Sequence, residues 1–270
     1  MKQLKNLGFM PIFFAISLLF CACDDDETKP ITLKDREDTT LKLIYPRIDD
    51  TGVSIPLQGG DGNYSVKSHD EKVVTAKMIS PIDLHLKVVG LGETTVTITD
   101  QSKNSLILHI IVDYETRTYV VVKHDIKIAG DELTEDEINA IQEEYIKTIP
   151  VKEGGGYQFI FTDRFNNKGE GKGKAVLYIN EFGKEGKETS FEIVEVDNQF
   201  FPESSSFGYE ILIDDEKRVF NPGKYKYTPS IKSKALVTNH IALMEDITEK
   251  VKKEYPKAEK VFTFQVIITK

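Results

Sequence analysis

Gly92-Glu93-Thr94-Thr95-Val96-Thr97-Ile98-Thr99 is the stretch whose reading decides the fold of the N-terminal half. From Thr95 to Thr99, threonine alternates strictly with Val96 and Ile98. That period of two puts the aliphatic side chains on one face and the hydroxyls on the other, the pattern of a strand buried on one side. Outward from it, Leu41–Tyr45, Val53–Leu57, Tyr64–Ser68, Val73–Met78, Leu84–Val89 and Leu106–Val112 are short, β-prone runs. Gly59-Gly60-Asp61-Gly62-Asn63, Ser80-Pro81 and Gly90-Leu91-Gly92 supply turn chemistry between them. Strands this short, at roughly ten-residue spacing, predict a β-sandwich over residues 31–113.

The order of these parts resembles bacterial Ig-like domains of group 2. The strongest match is the Gly-x-Gly-x-Thr-x-Val-x-Ile core formed by Gly90, Gly92, Thr94, Val96 and Ile98. The chain departs from the family between Met78 and Asp83, where Ile79-Ser80-Pro81-Ile82 stands in place of a Gly-containing turn. The resemblance implies a spacer or adhesive module and no catalysis. Ser68-His69-Asp70 does not alter this, because consecutive residues of a strand point to alternating faces and cannot converge as a triad.

Residues 114–270 mix strands with two predicted helices and resemble no family. Thr134-Glu135-Asp136-Glu137 reads as a capping box that starts a helix running to about Lys147, with Ile138, Ile141, Tyr145 and Ile146 on its apolar stripe. A second helix is expected from Asn239 to Tyr255, on the spacing of Ile241, Met244, Ile247, Val251 and Tyr255. Strands are expected at Tyr119–Ile128, Tyr157–Thr162, Lys174–Asn180, Ser190–Val196, Gly208–Ile213 and Val261–Thr269. The fold class is therefore an N-terminal all-β Ig-like sandwich followed by an α+β domain with an antiparallel sheet and two helices.

Ahead of both lies a leader. Lys2 and Lys5 precede an apolar run from Leu7 to Phe20, too short to span a bilayer, and Phe20-Cys21-Ala22-Cys23 closes it. This resembles the lipobox of bacterial lipoproteins and implies a signal peptide over residues 1–22, with Cys23 lipidated. Asp24-Asp25-Asp26-Glu27 then reads as a solvated tether over residues 23–30. The run also resembles the acidic export signal of Bacteroidetes-type surface lipoproteins, which implies the outer face of the outer membrane. In enteric bacteria an Asp after the lipidated Cys implies inner-membrane retention, so the leaflet stays open. Asp38-Thr39-Thr40 resembles an O-glycosylation acceptor of such exported proteins, which would place a glycan on Thr39.

Loss of residues 1–22 removes Lys2 and Lys5 and no acid, taking the formal net charge from −9 to −11 and arguing against nucleic-acid binding. It also discards Cys21, and acylation of Cys23 leaves no thiol for a disulfide, metal site or nucleophile. His69, His85, His109, His124 and His240 show no metal spacing. No cofactor or metal is expected. Gly169-Glu170-Gly171-Lys172-Gly173-Lys174 lacks P-loop spacing and reads as a hairpin turn. Asp163, Asn166, Asn167 and Glu170 lack the glycine and ligand pattern of a calcium loop, and Asp214-Asp215-Glu216-Lys217 reads as a charged turn.

Phe200-Phe201-Pro202 before Glu203-Ser204-Ser205-Ser206 reads as an exposed loop carrying apolar residues. With Tyr225 and Tyr227, Phe200 and Phe201 are the candidate ligand-binding residues, for a glycan or a surface protein. The expected function is a lipid-anchored, non-catalytic cell-surface protein for binding or structural display. The alternative is an extracytoplasmic hydrolase acting on glycan or peptide through C-terminal carboxylates, with Glu195 and Asp197 on one strand face as the conceivable pair.

Overall fold

The computed structural model describes residues 29–45, 52–165, 170–197, 205–226 and 239–270. Cys23, Asn166, Asn167, Phe200, Phe201 and Tyr227 lie outside the described residues. Within these bounds the chain is mostly strand, in largely antiparallel sheets, with two helices. No helix among the described residues is long and apolar enough to cross a membrane.

The N-terminal part contains β1 (Thr32–Leu33), β2 (Thr40–Ile44), β3 (Val53–Gln58), β4 (Ser65–Ser68), β5 (Val74–Met78), β6 (Asp83–Val88), β7 (Gly92–Thr99) and β8 (Ser105–Asp113). They form two four-stranded sheets, ordered β1-β3-β6-β5 and β2-β8-β7-β4. Pairing is antiparallel except for β2, which runs parallel to β8. The two sheets share one core: Leu84 and Leu86 from the first meet Val96, Ile98, Leu108 and Ile110 from the second. Val96 and Ile98 are fully buried while Thr95, Thr97 and Thr99 stay half exposed, as the alternation dictates. Each such aliphatic contributes about 1.5–3 kcal/mol by leaving water.

The chain enters and leaves these sheets at opposite ends. At one end Gly60 N donates to Lys29 O at 2.6 Å, and Thr32 pairs with Gln58. The Ser80-Pro81 turn and the 100–104 turn lie at the same end, since Leu57 N donates to Ile82 O and Asp61 N to Asp100 Oδ2. From there β8 runs nine residues to Asp113, beside Ile44. At about 3.3 Å per residue that is roughly 30 Å.

The C-terminal part departs from the α+β layer expected for it, because its sheet closes. Its elements are β9 (Thr116–Ala129), α1 (Glu135–Tyr145), a 3₁₀ turn (Ile146–Thr148), β10 (Gly156–Phe165), β11 (Gly171–Tyr178) and β12 (Gly186–Glu195), then β13 (Phe207–Ile213), β14 (Glu216–Lys226), β15 (Asn239–Asp246), α2 (Thr248–Val251) and β16 (Lys260–Thr269). Each strand pairs antiparallel with the next, and β16 returns to β9 to complete an eight-stranded barrel. Helix α1 starts where expected, with Thr134 Oγ1 accepting from Glu137 N and the Glu137 carboxylate accepting from Thr134 N. The Thr134 amide and hydroxyl, both donating to it, hold the Glu137 carboxyl below its usual range.

The expected helix over 239–255 is instead a strand over Asn239–Asp246, and helical structure is confined to Thr248–Val251. Along β15, Leu243 faces the barrel core while Ala242 and Met244 pack on the outer face. Burial on both faces erases the alternation that marks a strand and leaves apolar spacings that imitate a helix. Strand β14 is not among the expected strands, since Asn221-Pro222-Gly223 reads as a break. The strand tolerates proline there because it changes partners at that point, pairing with β13 up to Phe220 and with β15 from Asn221.

The barrel interior is aromatic. Tyr157, Phe159, Phe161 and Phe220 are fully buried, and Phe191 and Tyr209 nearly so. Phe159 stacks on Tyr209 at 4.2 Å between centroids and meets Phe191 edge-on at 5.0 Å. By contrast the outer wall over β11 and β12 is wet, with Lys174 and Glu188 side chains 62% and 71% exposed. A membrane-spanning barrel has the inverse arrangement, an apolar outside around a polar interior.

Candidate functional site

A small eight-stranded barrel is wide enough to be filled by side chains or to hold one small ligand. Here side chains fill it, and the polar groups inside are spent on one another. Tyr157 Oη donates to Gln265 Oε1 at 2.9 Å, and burial pushes the phenol's pKa up. Arg117 Nη1 donates to Tyr209 Oη at 3.1 Å, and the Tyr119 hydroxyl lies 3.1 Å from the same oxygen.

At the end covered by the 3₁₀ turn, Arg218 meets Glu245 as a fork, Nε to Oε1 at 2.7 Å and Nη2 to Oε2 at 2.5 Å. Its Nη1 donates to Thr148 O at 3.1 Å, tying the turn to the strands. Burial works against the Arg218 charge, but the Glu245 carboxylate outweighs it and raises the guanidinium pKa. Both side chains are only 10% exposed, so the pair closes the barrel end and is structural.

A concave surface with a volume of about 520 Å³ lies on the outer wall. Val194 and Val196 of the β12 end, Val219 of β14, Met244 of β15 and Phe262 of β16 contribute its apolar floor. Gly208 makes this floor continuous: a Cβ there would lie 3.0 Å from both Val196 Cγ1 and Val219 Cγ1, so the two valines close over bare backbone. The rim is charged. Lys260 Nζ lies 3.5 Å from Asp246 Oδ2, and Asp246 Oδ1 accepts from Thr248 N at 2.9 Å, which fixes α2 along one side. Such an open trough with an apolar base can take the apolar part of a ligand while the rim orients its polar part.

Of the predicted ligand-binding residues, only Tyr225 is among those described, and it is not an exposed platform. It is 4% exposed on the outer face of β14, its hydroxyl bonds the Asp125 carboxylate, and its ring sits 5.2 Å from that of Phe264. Lys127 Nζ lies 5.0 Å from the Tyr225 centroid. Thr39 is half buried; its carbonyl accepts from His109 N, and Asp38 Oδ1 accepts from Thr40 N at 2.8 Å. Glu195 and Asp197 both line the outer-wall groove.

The remaining motifs are local structure. His69 Nε2 bonds Thr97 Oγ1, and the Asp70 carboxylate accepts from Lys72 N, so neither turns toward Ser68 Oγ. Asp214 and Asp215, with φ of 48° and 65°, form the β13–β14 hairpin turn. Among the described residues no group of three or more His, Cys, Asp or Glu is arranged to hold a metal ion. The groove escaped sequence reading because its floor is drawn from four strands and one bare glycine, and alternation alone assigns those residues to a face without saying what stands beside them. Compared with known proteins, the chain matches no family model and no curated protein.

Proposed function

We propose that this chain is a lipid-anchored protein of the bacterial cell surface, non-catalytic, in which an Ig-like sandwich over residues 31–113 holds a C-terminal binding unit away from the membrane. The anchor reading rests on Met1–Glu27, with Cys23 as the acylated residue, and the family reading on the Gly-x-Gly-x-Thr-x-Val-x-Ile core. The observation that carries the spacer role is that the chain enters the two sheets beside Gly59–Asn63 and leaves at Asp113, at the far end. A module with its termini at opposite ends adds its length to the reach of whatever follows. The binding role is assigned to the barrel's outer wall, because the interior is packed with aromatic rings and the groove over Gly208 is the concave apolar surface left to a glycan or protein ligand.

Protease shaving of intact cells, with immunodetection of the barrel and a Cys23→Ala variant alongside, tests this. Digestion of the wild type on unbroken cells, with the variant released from the membrane fraction, is the expected result. Protection of the wild type until lysis would move the protein inside the envelope and end the surface reading. Intact mass of the native protein would show whether Thr39 carries a glycan.

A further inference from the structure

The end of the sandwich at which the chain enters carries a feature that the spacer role leaves unused. The β5–β6 turn, Ile79-Ser80-Pro81-Ile82, displays two large aliphatic side chains, each 52% exposed, with Pro81 exposed between them. The turn is rigidly built. Ser80 Oγ donates to Asp83 Oδ2 at 2.6 Å and accepts from Asp83 N at 3.0 Å, and Ile79 N donates to Asp83 O at 2.9 Å. Ile79 and Ile82 are thus presented outward by a closed hydrogen-bonded turn.

Charges of both signs surround the turn. The acids at this end are occupied: Asp83 by Ser80, Asp61 by the Asn63 and Ser102 amides, and Asp100 by the Asp61 and Asn104 amides. Asn63 and the other amide donors hold the Asp61 carboxyl below its usual range. Lys29, Lys77 and Lys103 are exposed beside them, with Lys103 N donating to Asp100 O at 3.2 Å.

We infer that this end of the sandwich rests on the membrane, with Ile79 and Ile82 entering the boundary between lipid headgroups and acyl chains. The inference depends on the lipid anchor at Cys23 proposed above, and chain length argues for it. Six residue steps separate Cys23 from Lys29, and at most about 3.6 Å per step leaves under about 22 Å between the acylated residue and the first strand's approach. An end held that close to a bilayer meets its interface constantly, and an exposed aliphatic pair flanked by lysines is the chemistry that partitions there. A lipid at one residue fixes how far this end can stand from the bilayer but not its tilt, and a second apolar contact sets the orientation of the spacer.

The test uses the lipidated chain reconstituted into vesicles of phosphatidylethanolamine and phosphatidylglycerol. An environment-sensitive dye is placed at Ile82→Cys and, in a second preparation, at Leu91→Cys, which is 40% exposed beside Gly92, the partner of Val112 at the opposite end. The dye at position 82 should shift to the blue and be quenched by lipids carrying a nitroxide on the acyl chain, while the dye at 91 stays in water. An aqueous spectrum at both positions while the protein floats with the vesicles overturns the interfacial contact, leaves the anchor intact, and points the isoleucines at a protein partner instead. Failure to float overturns the anchor and this inference with it. In the Cys23→Ala chain, the Ile79→Ser/Ile82→Ser pair should weaken residual vesicle binding by about tenfold or more, given roughly 0.8 kcal/mol per buried methylene-sized group. Unchanged binding would likewise refute the contact.

Discussion

The sandwich and the barrel solve the same problem, burying one face of every strand, with different side chains. The sandwich core is aliphatic, built from Leu84, Leu86, Val96, Ile98, Leu108 and Ile110, with aromatic rings only at its margin. The barrel core is built around Tyr157, Phe159, Phe161, Phe191, Tyr209 and Phe220. Two facing sheets stand about 10 Å apart, a gap that interdigitated leucines and isoleucines fill. A closed eight-stranded cylinder has an interior that side chains from every wall must fill, and here rings from several strands meet along it among aliphatic neighbours. The barrel also encloses polar groups, Gln265, Arg218 and Glu245, which are tolerated because each finds a partner. The sandwich thus depends mainly on volume, with buried Asp100 and its amide donors at one end, and the barrel on volume and on partnership.

The sharpest way to break this comparison is to open a cavity in each core. Phe159→Ala should cost about 4 kcal/mol and Leu84→Ala about 3 kcal/mol, and each should lower a separate calorimetric transition, since the two residues belong to separate clusters. A common shift of one transition by both variants would show that the halves unfold together. An effect equal to that of Leu84→Ala is expected from Glu245→Gln, about 3 kcal/mol in chemical denaturation, because it leaves Arg218 buried against a neutral amide. A loss below about 1 kcal/mol would mean that water reaches the guanidinium and that partnership matters less than claimed.

The smallest effect is a pH dependence confined to the barrel. His124 Nε2 lies 2.8 Å from Val151 O, and burial lowers its pKa, only partly offset by that carbonyl and by Glu153. The folded state therefore resists protonation. Its stability is full above the unfolded value of about 6.5 and falls as the pH drops through the lower folded value. The barrel's Tm should decline from pH 7 toward 5, and His124→Gln should flatten that decline. An unchanged slope would assign it to other groups.

How much of this was legible in the sequence varies with how locally each element is determined. Thr95–Thr99 showed its inner face outright, and Thr134 and Glu137 fixed the start of α1, because both depend on residues within four positions. Strand β15 did not read as a strand, since Ala242, Leu243 and Met244 are buried on both faces. Closure of the sheet left no mark either: it joins Thr269 to Tyr119, 150 positions apart, through backbone hydrogen bonds that carry no side-chain signature. The candidate groove fared no better, as Val194, Val219, Met244 and Phe262 become neighbours only once the strands are in register and Gly208 leaves the space between them. Tyr225 looked like a surface aromatic in a polar stretch and is instead packed against Phe264 and bonded to Asp125.

By itself, then, the sequence determined the strand-rich first half, the helix start at Thr134 and the net charge. All of these follow from periodicity, capping and composition, which act over a few residues. Only the tertiary structure decided that the second half is a barrel, that its interior is full, that the groove lies on its outside and that Ile79 and Ile82 stand at the end where the chain enters. These depend on which strands meet, and that is settled by the free energy of packing the whole core, where one register buries the rings and pairs Arg218 with Glu245.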